Sequence, residues 1–245
     1  VRRARRIVRL LAALAVATIV GYGACARADD LVLEAAFLAD PVPPAGTDLN
    51  LSLSLAPEDD GGTRGYGAQP RAQLATRLAP GLGLTVDAGL ARSGSGRVTL
   101  APFAASLKLG PADAGSGPGG LGLHACADLQ ADPADWAGSE AGLGLGVIRG
   151  IGPVTLRGAA LVMSRVGRWD PHGHAGLSAA LALGARLRLL LEAVADLRSS
   201  GSALAAGPTL KLEVAEGTTL SVGALLGVAP RFGVEAVLVQ VGRSL

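Results

Sequence analysis

Apolar residues recur at every second position in run after run of this chain, and that alternation restricts its fold more than any other feature. Leu82, Leu84, Val86, Ala88 and Leu90 alternate with Gly83, Thr85, Asp87 and Gly89. Leu121, Leu123, Ala125, Ala127 and Leu129 alternate with Gly122, His124, Cys126, Asp128 and Gln130. The same rhythm returns over residues 141–147, 154–162, 187–197, 210–214 and 220–226. A period of two puts successive side chains on opposite faces of a strand, whereas a helix repeats near 3.6. Leu and Ala favour helices intrinsically, and residues 175–197 could be drawn as one. The density of Gly in many of these runs and the spacing of two argue against it.

The runs divide into about twelve strands, within a range of 10–14. They cover residues 48–56, 68–79, 82–92, 98–110, 120–130, 139–149, 152–164, 173–183, 186–197, 203–214, 217–228 and 231–241. Most are roughly 9–13 residues, the length that crosses a bilayer at a tilt, where soluble strands are nearer 5–6. Pro80-Gly81, Gly150-Ile151, Gly184-Ala185 and Ala215-Glu216 read as tight turns. Residues 57–67, 93–97, 131–138, 165–172 and 198–202 read as longer polar loops at the other end. The long link 110–119 and the short Ala229-Pro230 break that rule. Short turns at one end and loops at the other predict an all-β, transmembrane, antiparallel up-and-down β-barrel.

Composition fits a lipid-facing exterior. Mean hydropathy is +0.41, yet aromatic residues make up only 3% of the chain. A soluble β-sandwich would need a bulkier, more aromatic core. A barrel instead turns Leu, Val and Ala to lipid and small or polar residues inward. The shortage of aromatic girdles, with only Phe37, Tyr66, Phe103, Trp136, Trp169 and Phe232 after the leader, departs from the usual barrel.

Residues 1–28 read as a cleaved export signal. Arg2, Arg3, Arg5, Arg6 and Arg9 precede an apolar stretch over residues 10–24, and Ala26-Arg27-Ala28 offers a small-residue cleavage site. A lipidated Cys25 is the competing reading. The leader holds six of the 22 basic residues and none of the 20 acidic ones, so the remainder is acidic by four. That removes the basic footprint of a nucleic-acid binder. Residues 29–47, with Pro41, Pro43 and Pro44, read as a periplasmic tail, and residues 48–245 as the barrel.

Parity assigns charged residues to the lumen. Arg71, Arg77, Lys108, Arg157, Arg186, Arg188 and Lys211 face inward with Asp87, Asp128, Glu140, Glu192, Asp196, Glu213 and Glu235, seven of each sign. A balanced lumen is hydrophilic without strong ion preference. An open or gated pore is the preferred reading, a barrel plugged by ion pairs the alternative. No catalytic grouping, metal site or cofactor motif is expected. His172 and His174 fall in an expected external loop, and His124 and Cys126 read as lumen residues. Gly117-Pro118-Gly119-Gly120-Leu121-Gly122 matches a dinucleotide fingerprint only formally, because a strand follows it.

The stretches Arg77-Leu78-Ala79-Pro80-Gly81-Leu82-Gly83-Leu84-Thr85-Val86-Asp87 and Ala101-Pro102-Phe103-Ala104-Ala105-Ser106-Leu107-Lys108-Leu109-Gly110 carry a resemblance. They resemble bacterial outer-membrane β-barrel channels, more narrowly the family associated with phenol-degradation (MetA) pathways, over residues 45–245. The resemblance implies an outer-membrane location, passive passage of small solutes including hydrophobic or aromatic compounds, and insertion by the barrel-assembly machinery. The alternatives are a non-conducting barrel with a structural or surface role and a secreted soluble β protein.

Overall fold

The computed structural model describes residues 45–60, 63–93, 96–111, 120–131, 133, 138–198, 201–229 and 233–245. The leader, most of the tail and the centre of the 110–119 link lie outside the described residues. Among the described residues, thirteen β elements follow one another. They are β1 (Thr47–Asp60), β2 (Thr63–Ala79), β3 (Leu82–Arg92), β4 (Val98–Leu100), β5 (Phe103–Leu109), β6 (Leu121–Ala131) and β7 (Glu140–Ile151). Then come β8 (Val154–Arg165), β9 (His172–Ala182), β10 (Leu187–Arg198), β11 (Gly201–Ala215), β12 (Thr218–Ala229) and β13 (Gly233–Ser244). All pairings are antiparallel, and β1 pairs with both β2 and β13. The elements β4 and β5 both pair with β3, as two halves of one strand. The sheet therefore closes into a barrel of 12 strands.

Closure follows from the solvent. Hydrocarbon offers no partner to a free strand edge, so each spanning strand needs a neighbour on both sides. The alternation then sorts side chains. Leu49, Leu51, Leu53 and Leu55 of β1 are exposed on the outer face, while Ser54 is buried inside and Asn50 and Ser52 are half-buried. On β6 and β7 the outward Leu123 and Leu143 are 69% and 72% exposed, and the inward Gly122 and Gly144 are buried. Apolar exposure repeated around a whole barrel is a lipid-facing surface.

The turn end is tight, as expected, but two turns sit further along. Ile151 pairs with Val154 across Gly152-Pro153, and Ala215 pairs with Thr218 across Glu216-Gly217. Positive φ decides the position: Gly152 and Gly217 have φ of 60° and 66°, which non-Gly residues rarely adopt. Gly110 N–H donates to the Gly81 carbonyl at 2.8 Å, so the long 110–119 link starts at this turn end.

Other boundaries moved at the loop end. The expected loop 57–67 is mostly strand, with β1 and β2 paired in register out to Asp60 and Thr63. Outward Leu stops at Leu55, and beyond the apolar band no lipid remains to impose alternation. The expected strand 98–110 is broken at Ala101-Pro102. Pro has no N–H to give the ladder, so the ladder stops there.

The exterior yields a test. Leu145 sits midway along β7 and is 71% exposed on the outer face. Leu145→Arg should lower unfolding stability in vesicles by about 2–4 kcal/mol, read by denaturant titration.

Candidate functional site

Among the described residues, polar and ionisable groups converge on the lumen, which is packed unevenly. Inward residues of β3 to β7 are mostly buried, as are those in the loop-end halves of β1, β11 and β13. Most inward residues in the turn-end halves of β8, β10 and β11 are half-buried, together with Asn50 of β1 and Gln240 of β13. A polar vestibule therefore opens toward the turn end and narrows toward the loops.

The charged residues distribute accordingly. Arg71, Asp87, Lys108, Asp128 and Asp196 are buried, and Glu140 is half-buried. Arg157, Glu192, Lys211 and Glu213 are half-buried in the vestibule. Arg77 and Arg188 are exposed near the turn-end rim of β2 and β10. Arg186 precedes β10 and lies in the turn bridged by the Leu183 N–H to Leu187 carbonyl bond at 2.9 Å. It is exposed there rather than inward on a strand, because that turn spans three residues and not two. The side chain of Glu235 lies outside the described residues.

Three arrangements give the lumen its chemistry. Across β2 and β3, Arg71 and Asp87 form a buried ion pair. Arg71 Nη2 also donates to the Pro102 carbonyl at 2.8 Å, the acceptor exposed by the break between β4 and β5. In the vestibule, Thr209 Oγ1 donates to Glu192 Oε2 at 2.7 Å, with Arg157 and Lys211 nearby. Toward the loops, His172 Nε2 lies 3.2 Å from Glu140 Oε2, and His174 Nδ1 lies 3.5 Å from Asp196 Oδ1. The two rings meet edge-on with centroids 4.7 Å apart.

That last group corrects the expected loop position of the two histidines. β9 starts at His172, so both fall on one strand. Residues two apart share a face, and both imidazoles point inward. The Asp170-Pro171 turn signal hid this, although the i, i+2 spacing carried it. Among the described residues, no group of three or more His, Cys, Asp or Glu is arranged to hold a metal ion.

Parity also missed an apolar cluster within the lumen. Leu161, Met163, Val194, Ala203 and Ala205 pack together, with Cys126, Ala159 and Leu225 against them. The signal was Leu161-Val162-Met163, apolar on both faces. Glycines make room for it: a Cβ at Gly142 would collide with Met163 Sδ. One at Gly144 would come within 2.7 Å of Cys126 Sγ.

No family model matches the chain, and no curated protein matches it. Solved structures share its fold. The KdgM porin aligns with a TM-score of 0.61 at 9% identity, covering 81% of this chain and 99% of that one. The COG4313 outer membrane channel from Pseudomonas putida F1 aligns at 0.55 with 13% identity, over 82% and 96% of the two chains. Outer membrane phospholipase A from Escherichia coli aligns at 0.54 with 16% identity, over 90% and 99%. The chain has the fold of outer-membrane β-barrels, a fold that serves channels and an enzyme alike.

The buried ion pair is testable. Removing one partner of such a pair leaves an uncompensated charge, so Asp87→Ala should cost about 3–5 kcal/mol of unfolding stability. The Arg71→Met, Asp87→Leu double variant should recover most of that loss in the same titration.

Proposed function

We propose that this protein is an outer-membrane channel for passive passage of small solutes, with small hydrophobic or aromatic compounds among them. One observation carries the reading: a closed barrel with apolar residues outside and a polar, half-exposed vestibule inside. Such a barrel sits in lipid and offers water a route from one end. The fold shared with the KdgM porin and the COG4313 channel supports it. Near-balanced charge in the vestibule, Arg157 and Lys211 against Glu192 and Glu213, suits neutral solutes better than ions of one sign. Leu161, Met163 and Val194 facing the lumen suit solutes with an apolar body.

The same reading assigns residues 1–28 to a cleaved export signal, 29–47 to a periplasmic tail and insertion to the barrel-assembly machinery. It assigns no catalysis. The phospholipase shows that this fold can hold an enzyme, but an enzyme acting on bilayer lipid needs its base where lipid reaches. The three histidines of this chain, His124, His172 and His174, are all on inward positions and buried.

A second reading, a structural barrel that does not conduct, is favoured by the apolar packing in the lumen. Planar bilayers separate the two. Purified protein should give discrete conductance steps, and proteoliposomes should swell faster than empty vesicles in a neutral pentose. Folded, inserted protein that stays silent in both assays contradicts the channel.

A further inference from the structure

Strands tilt in a closed sheet, so a row of directly opposed residues changes height as it goes round the barrel. One such inward row starts beside the Glu216-Gly217 turn. Glu213 of β11 pairs with Thr219 of β12, Thr219 with Gly242 of β13, Gly242 with Asn50 of β1, and Asn50 with Gln73 of β2. The row continues through Asp87 and Ala104 to Gln130 of β6 and Glu140 of β7 at the loop end. A mostly polar line therefore joins the two mouths along the inner wall.

Its turn-end part gathers uncharged polar groups from four neighbouring strands. Asn50, Gln73 and Thr219 are half-buried, as is Gln240, which shares the inward face of β13 with Gly242. Asn50 Nδ2 donates to Gln73 Oε1 at 3.2 Å, which orients the two amides. A Cβ at Gly242 would strike both Asn50 Oδ1 and Thr219 Oγ1, so the glycine lets these two oxygens lean over β13 from either side. Among the described residues, charge flanks this patch rather than entering it. Glu213 lies beside Thr219, Asp48 and Arg77 stand nearer the turn-end mouth, and Arg71 is paired with Asp87 deeper in.

Carboxamides offer donors and acceptors together, and a hydroxyl does both from one atom. The hydroxyls of a sugar or polyol have the same dual character, so they find both roles within one patch. An ion finds no counter-charge inside it. Contacts of this kind hold a solute without trapping it, as passage requires. We propose that Asn50, Gln73, Thr219 and Gln240 form a binding site for uncharged, hydroxyl-rich solutes of pentose or polyol size. This rests on the channel reading for the solute's passage and adds to it a solute class and the residues that recognise it.

The test is saturation-transfer NMR with the folded protein in lipid nanodiscs, using xylose as the probe and xylonate as its charged counterpart. Wild type should give a xylose signal and a severalfold weaker xylonate signal. Thr219→Val removes one hydroxyl at nearly constant shape and should weaken the xylose signal. The Asn50→Leu, Gln73→Leu double variant should abolish it. Folding is checked by the heat-dependent shift on SDS gels, and Thr219→Val and Gln240→Leu carry the test should the double variant fail to fold. No xylose signal from wild type, or equal signals from wild type and every folded variant, would overturn the site, and conductance steps in planar bilayers would leave the channel reading standing. A xylonate signal as strong as that of xylose would overturn the solute class. A xylose signal lost in the variants of a protein that stays silent in bilayers would keep the site and overturn the passage.

Discussion

Backbone hydrogen bonding in a solvent that cannot hydrogen-bond is what this structure is built around. A spanning strand with one free edge would carry a row of unsatisfied N–H and C=O groups, each costing several kcal/mol in hydrocarbon. The pairing of β1 with β13 removes the last two edges. The strand lengths, the meeting of the first and last strands and the division of turns from loops all follow from closing that ring. Leu245 N–H donates to the Thr47 carbonyl at 2.9 Å, tying the C-terminus beside the start of β1 at the turn end.

Closure makes an inside, and the inside obeys different rules. Charged groups that lipid would reject are held there against partners. Arg71 is paired with Asp87 and donates to the carbonyl that the Pro102 break leaves available. A local defect in one strand thus supplies an acceptor for a buried cation on another. Gly142 and Gly144 act similarly, their missing side chains giving Met163 and Leu161 of the adjacent strand the space to lie over β7. The polar vestibule and the apolar cluster are therefore products of one set of positions, the inward half of each alternating strand.

Much of this was legible in the sequence, for a physical reason. Where one face meets lipid and the other does not, alternation is imposed, and β1, β3, β6 and β7 could be read directly. Legibility failed wherever that contrast disappears. Beyond Leu55 both faces of the β1–β2 hairpin leave the apolar band, so a long strand pair looked like a loop. At Ala101-Pro102 the alternation continues although the ladder cannot. At Leu161 to Met163 both faces are apolar, so parity could not signal the inward apolar cluster there. The ion pair of Arg71 with Asp87 needed register, because the two residues are 16 apart in the chain.

The central claim is that alternate residues of each strand face lipid and lumen. β1 allows a direct test in a background with Cys25 and Cys126 changed to Ser. Residues Leu49, Asn50, Leu51, Ser52 and Leu53 are replaced singly by Cys, labelled with a fluorophore and folded into vesicles containing a lipid-borne quencher. Strong quenching at Leu49, Leu51 and Leu53 and weak quenching at Asn50 and Ser52 is the expected result. Quenching that does not alternate along these positions would contradict the barrel.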